Sequence, residues 1–391
     1  VIAKQNEKDM GKKLKEKDLI RVDGNTGSVY KETDPNILKE FKKKKEEVHP
    51  VVEAYSSGSL SGIDLLEKDI KEKKKDIKEK KKDIKKEKKS KKTDIPHDST
   101  LSPTATKVFV TPTFSVKKLK KFVGNSHGIV YIDFDKIMIE HGRHLMAYVK
   151  DKKFVEYAND MSKKICDLVE LAQGNEVVVT IGSTQVSKFR KLTKGKSSED
   201  IDISSDQFGL NHYLANPEFL RRVLKIVKRV RDIYKKRNVS LGVHAPMDGK
   251  NMREFKKTLS SVGLRRSSTF NVYAVIDNPT EVILVDEIVK AKIDGIILNM
   301  PRIARQIQGI SLTDRKAKFS LSNKSILKVV DNVVDILKPD KQKVIVICKD
   351  DKKLISECVL KGVYGVSVSP KDIKEFRELV AKEEAKLILS K

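Results

Sequence analysis

From about Ala105 to the end of the chain, short apolar runs alternate with longer amphipathic ones, and this alternation narrows the choice of fold more than any other feature. The runs are Val108–Thr111, Ile129–Phe134, Val177–Ile181, Ser240–Ala245, Phe270–Ile276, Gly295–Leu298, Val344–Ile347 and Val363–Val368. A strand that is apolar on both faces belongs in a parallel sheet covered by helices. The intervening patterns Phe154–Ala172, Pro217–Lys235, Met252–Val262, Glu281–Lys292, Lys324–Leu337, Asp351–Leu360 and Asp372–Leu387 supply the helices. Eight such units predict a closed (β/α)8 barrel of the TIM type, and a stretch of about 285 residues is the right size for one. An open, doubly wound sheet is the competing architecture.

Composition is uneven along the 391 residues. The net charge of +27 and a 35% charged content with only 6% aromatics do not describe one compact globule. Residues 32–104 read as a separate, Lys-rich linker. Within it run three tandem heptads, Asp69-Ile-Lys-Glu-Lys-Lys-Lys75, Asp76-Ile-Lys-Glu-Lys-Lys-Lys82 and Asp83-Ile-Lys-Lys-Glu-Lys-Lys89. Each heptad has one apolar residue, whereas a coiled-coil seam needs two, so the expectation is a solvated helix or a flexible linker. The segment Lys68–Lys92 is a candidate for nonspecific, salt-dependent contact with a polyanion. It lacks the arginines and aromatics that would add bidentate phosphate contacts or base stacking.

Three cysteines without metal-ligand spacing argue against a disulfide framework and for a reducing, cytoplasmic setting. No apolar run is long enough for a membrane span, so no membrane role is expected. His141 and His144 read as local packing or surface groups, and Arg221-Arg222 and Arg265-Arg266 as solvated basic pairs. The chain begins at Val1, and we expect a processed or truncated amino end.

Two segments carry a resemblance to a known family. Gly362-Val-Tyr-Gly-Val-Ser-Val-Ser-Pro-Lys-Asp372, read with Val344-Ile-Val-Ile-Cys348, resembles the close of the barrel in the phosphoenolpyruvate-utilising enzymes, closest to phosphoenolpyruvate synthase. Asp18-Leu-Ile-Arg-Val-Asp-Gly-Asn-Thr-Gly-Ser-Val-Tyr30 reads as a hairpin and resembles the end of that family's swivelling phosphohistidine domain. The resemblance favours the barrel over the open sheet. It implies three regions: residues 1–31 as the end of a phosphohistidine domain, 32–104 as linker, and 105–391 as barrel.

The resemblance also says where chemistry should fall. The family is expected to hold phosphoryl and carboxylate groups with arginines, Mg²⁺ with a Glu and an Asp, and to protonate an enolate with a Cys. Carried over by position, three arginines fall on Asp133, Thr180 and Asn211, and an aspartate falls on Ser183. The metal-binding Glu falls on Asp277 and the metal-binding Asp on Arg302. Cys348 stands at the acid position, and Thr313-Asp-Arg315 echoes a family Val-Asp-Arg. Cys348 also reads as a small buried hydrophobe, and Asp277, before Asn278-Pro279, as a turn and helix cap. Arg302 and Arg305 are candidates for a new anion site.

The expectation is therefore a catalytically degenerate, phosphoenolpyruvate synthase-like barrel serving as a structural or regulatory subunit. The resemblance implies a homodimer or a hetero-oligomer with an active paralogue. No cofactor is expected, with Mg²⁺ required only if activity is retained. Two alternatives stand beside it: an active phosphotransferase, and a basic nucleic-acid- or ribosome-associated protein.

Overall fold

The computed structural model describes the strands Ile20–Val22 and Val29–Lys31 and residues 98, 100–112, 119–121, 123–198, 207–312, 314 and 316–389. The chain divides into two units, Val1–Thr93 and Asp94–Lys391. In the first, Ile20–Val22 and Val29–Lys31 pair antiparallel, with Ile20 opposite Lys31 and Val22 opposite Val29. The turn of that hairpin and the heptads at 69–89 lie outside the described residues.

The second unit is a closed, all-parallel barrel of eight strands in sequential order. They are β1 (Lys107–Val110), β2 (Gly128–Asp133), β3 (Glu176–Ile181), β4 (Val239–His244), β5 (Val272–Ile276), β6 (Gly295–Leu298), β7 (Lys343–Ile347) and β8 (Gly365–Val368). Closure comes from β8 pairing with β1, Gly365 beside Lys107 and Val368 beside Val110. An open sheet would leave those two strands as edges, so the alternative architecture is excluded.

Strand parity divides the core in two. Phe109, Val130, Val178, Tyr273, Val275, Ile297, Ile345 and Ile347 fill the barrel interior. Their neighbours in sequence, such as Val108, Ile129, Val177, Val179, Ile296 and Val346, pack outward against the helices. Burial on both faces explains why these strands read as continuous apolar runs. The helices form where apolar residues recur at helical spacing and start at good caps. Asn278, Asn323 and Asp351 each accept the backbone N–H three residues ahead. The expected helix over Glu281–Lys292 is instead two short ones, Pro279–Ile283 and Val285–Lys290, broken at Leu284.

Residues ahead of β1 belong to the barrel unit. Arg377 donates to the carbonyls of Asn125 and Ser102, and Glu384 accepts the N–H groups of Ala105 and Thr106. These bonds strap the entry segment onto the last helix, Ile373–Leu389.

β2 contains the main irregularity. Its pairing with β3 shifts between Ile129 and Ile132, and Tyr131 in the gap has φ 76°. A bulky non-glycine residue in the left-handed region of a strand is strained, by roughly 1–3 kcal/mol. At the start of β2, Gly128 (φ 144°) lies so near the Glu176 carbonyl that a Cβ would sit 2.2 Å from its oxygen. No side chain fits there.

Candidate functional site at the barrel mouth

The carboxyl ends of the strands converge on a buried polar cluster, the place where barrel enzymes assemble their sites. His244 ends β4, Asp277 follows β5, and Asn299 and Arg302 follow β6. Asp277 and His244 are both completely buried. His244 Nδ1 lies 2.5 Å from Asp277 Oδ2, and Asn299 Nδ2 donates to Asp277 Oδ1 at 2.7 Å. Arg302 Nη1 stands 3.4 Å from the same Oδ1, and Gln306 donates to the Asp277 carbonyl. Arg302 also donates to the Ser183 carbonyl at 3.0 Å and stacks on Phe208 at 4.5 Å. Burial alone would raise the Asp277 pKa, but the charges of His244 and Arg302 outweigh it and hold the carboxyl at about 2.

A second pair of carboxyls supports this cluster. Glu281 accepts the Asp277 N–H at 2.7 Å, and its own pKa is pushed up to about 8 by burial and by the charge of Asp277. Asp135 accepts from Tyr213 OH at 2.6 Å and from the N–H groups of Gly182 and Thr184 at 3.1 Å. Burial and neighbouring Asp133 raise Asp135 to about 6. Asp133 caps the Phe134–His141 helix and accepts from Ser183 Oγ at 2.7 Å.

Beside the cluster, between the ends of β6, β7, β8 and β1, lies a cavity of about 270 Å³. Tyr131, Asn299, Arg302, Lys349, Ser367 and Ser369 are among its walls. Ser367 Oγ is 2.7 Å from Thr111 Oγ1, and Ser369 is held at both its N–H and its hydroxyl by Asp350.

The positions carried over from sequence divide as follows. Asp133, Ser183, Asp277 and Arg302 come together at the mouth. Thr180 points into the barrel, where a Cβ on Gly242 would meet its methyl carbon. Its hydroxyl is buried without a partner. Asn211 pairs with Asn251 at 2.7 Å, away from Asp277. Arg305 does not join Arg302 in an anion site. It donates to the Ser311, Asp314 and Ala317 carbonyls and packs on Phe319, bracing the loop after its own helix.

Cys348 faces the strand–helix shell rather than the mouth, with its sulfur 4.0 Å from Cys358 Sγ. Burial and that neighbour push its thiol pKa well up, so it is a packed hydrophobe. Asn278, not Asp277, caps the helix at Pro279. Thr313 and Arg315 lie outside the described residues.

Sequence reasoning missed His244. The signal was present in β4, where Val239, Leu241 and Val243 face outward and Ser240, Gly242 and His244 face the interior. That parity places the imidazole at the mouth.

The family's Mg²⁺ finds no fitting ligand set here. Both Asp277 oxygens are engaged, one by His244 and the other by Asn299 and Arg302, and a guanidinium stands where a second carboxylate would be needed. Among the described residues, no group of three or more His, Cys, Asp or Glu side chains could hold a metal ion.

Comparison with known proteins gives a consistent picture. The chain is 22% identical over 267 residues to phosphoenolpyruvate synthase of Pyrococcus furiosus, covering 66% of this chain and 32% of that one. It is 20% identical over 400 residues to phosphoenolpyruvate synthase of Aeropyrum pernix, covering 98% of this chain and 43% of that one. A probable phosphoenolpyruvate synthase of Archaeoglobus fulgidus matches at 19% over 278 residues, covering 68% of this chain and 36% of that one. The chain thus spans less than half the length of these curated relatives. No protein-family model matches it. Among solved structures, RipC from Yersinia pestis overlays with a TM-score of 0.38 at 11% identity, covering 70% of this chain and 94% of that chain, too loosely to carry an argument.

Proposed function

Since this chain is a distant relative of the phosphoenolpyruvate-utilising enzymes, we propose that its barrel has lost their chemistry and serves as a non-catalytic, structural or regulatory subunit. One observation carries the reading. Asp277, the position of a metal ligand by resemblance, is closed on both oxygens by His244, Asn299 and Arg302. The rest of the mouth supports it. Where the resemblance places arginines for a phosphoryl group stand Asp133, Thr180 and Asn211. Truncating one buried charged contact costs about 2–5 kcal/mol. At half that figure per position, three losses slow a reaction at least a hundredfold.

The test is deuterium exchange into the methyl group of pyruvate, followed by NMR with Mg²⁺ or Mn²⁺ present. No exchange above the buffer rate is expected, and calorimetry should detect no metal binding. Exchange that disappears in Asp277→Ala would overturn the proposal. A subunit of this kind works inside an assembly, so the purified chain should form an oligomer by light scattering or acquire one on mixing with an intact paralogue.

A further inference from the structure

The barrel's basic charge is concentrated on two adjacent helices. Pro217–Asp232 carries six basic and two acidic residues, and Gly249–Ser261 carries four and one. The other long helices are balanced or acidic: Lys324–Leu337 has two of each, Ile373–Leu389 four of each, and Phe154–Leu171 two basic against four acidic, while the short Met300–Ile307 and Val186–Arg190 carry two basic residues each. The two basic helices pack side by side.

Their cations are arranged in rows. Arg221, Lys225 and Arg229 recur every four residues along one helix, and Lys250, Arg253 and Lys257 at three and four along the other. Neighbours at this spacing lie about 5–6 Å apart on a helix surface. Packed helix axes are about 8–10 Å apart. The two inward-turned cations have structural work: Arg231 binds the Arg237 and Thr269 carbonyls, and Lys256 those of Ala291 and Lys292. Of the acids on this face, Glu218 pairs with Arg221 and Arg222, and Asp232 with Lys228. Glu254 is the remaining one. Lys225, Lys250, Arg253 and Lys257 are exposed and, among the described residues, have no carboxylate within ion-pair distance.

We propose that this two-helix face binds the phosphate backbone of a nucleic-acid duplex. The choice of partner follows from what the face lacks. Of the large exposed apolar residues of the described chain, one, Ile233, touches these helices, at the C-cap of the first. A membrane surface would call for apolar groups to insert, and a protein partner for an apolar or aromatic centre. Single strands are gripped by aromatic stacking, and neither helix presents an exposed aromatic ring. A duplex asks only for cation density, offering one negative charge per about 1.7 Å of axis. Helix axes that pack about 8–10 Å apart set the two rows at a separation comparable to the distance across a groove, about 6 to 12 Å, with long side chains to take up the difference. Such binding is independent of sequence and strongly dependent on salt.

The test uses the full chain and a fluorescein-labelled DNA duplex of about 20 base pairs, with anisotropy read between roughly 50 and 200 mM salt. Combining Lys225→Glu, Lys250→Glu, Arg253→Glu and Lys257→Glu is expected to weaken binding at low salt at least about a hundredfold. The slope of log affinity against log salt should become shallower by about 3–4. The same four positions changed to Gln should give an intermediate loss, and this set decides the matter if the charge reversal impairs folding. Converting the heptad lysines at 71–89 to Gln must leave the effect of the four substitutions in place. The proposal is overturned if the four positions leave affinity and slope unchanged, or if polyglutamate of equal charge binds as tightly as the duplex.

Discussion

The two ends of the barrel each hold a carboxylate at the centre of a polar cluster, and the clusters are finished to different degrees. At the amino end, Glu176 receives Ser240 Oγ, Asn271 Nδ2 and Tyr273 OH at 2.6–3.0 Å, with Lys343 at 3.7 Å. That tie joins β3, β4, β5 and β7, and it behaves as a strut. At the carboxyl end, Asp277 is as heavily engaged, yet His244 Nε2 and Thr180 Oγ1 are buried without hydrogen-bond partners. Unsatisfied buried polar atoms cost free energy, and a cluster selected only for stability would remove them. The amino end is built to hold, and the carboxyl end retains the outline of a site.

The sharpest way to break this comparison is Asp277→Ala. It leaves the Arg302 guanidinium and the His244 imidazole without their shared carboxylate, and about 3–5 kcal/mol should be lost in denaturant unfolding. A small effect would mean that the mouth cluster is not held by charge. Next comes the pH response of Glu281. Its pKa in the fold, about 8, exceeds its ordinary value of 4.5, so the folded chain retains a proton that the unfolded chain releases. Its contribution is present below pH 4.5, falls as pH rises, and is gone above about pH 8. Asp135, raised to about 6, acts in the same direction over the lower part of that window. Asp277 acts oppositely, its stabilisation disappearing only as pH drops toward 2.

Glu281→Gln should therefore flatten the decline between pH 5 and 9 by up to about 4 kcal/mol, seen as a thermal midpoint that varies less with pH. Smaller again, Glu176→Gln should cost about 1–3 kcal/mol through the donors it leaves unpaired, read in denaturant unfolding. Smallest is Cys348→Ala, expected to cost about 1 kcal/mol through lost packing alone, with no effect on ligand binding at the mouth.

The barrel was readable because its strands are buried on both faces. Six of the eight expected strands match the observed ones to within one residue at each end, and β5 and β8 begin two residues later than expected. The site was only partly readable. Asp277 and Arg302 fall beside one another because their place after β5 and β6 is set by topology. His244 carries no local motif, and only strand parity announces it. Arg305 and Cys348 could not be placed from spacing, because one helical step turned Arg305 toward its own loop and one step in parity turned Cys348 into the shell. Helix breaks such as Leu284 depend on how the chain docks on the barrel, which periodicity does not record.

Arg302 lying against Asp277 has a consequence for how this protein responds to its surroundings. The carboxylate carries its own permanent counter-ion, supplied by the same chain at the moment of folding. The thermal midpoint of the barrel is therefore expected to be the same with EDTA as with added magnesium.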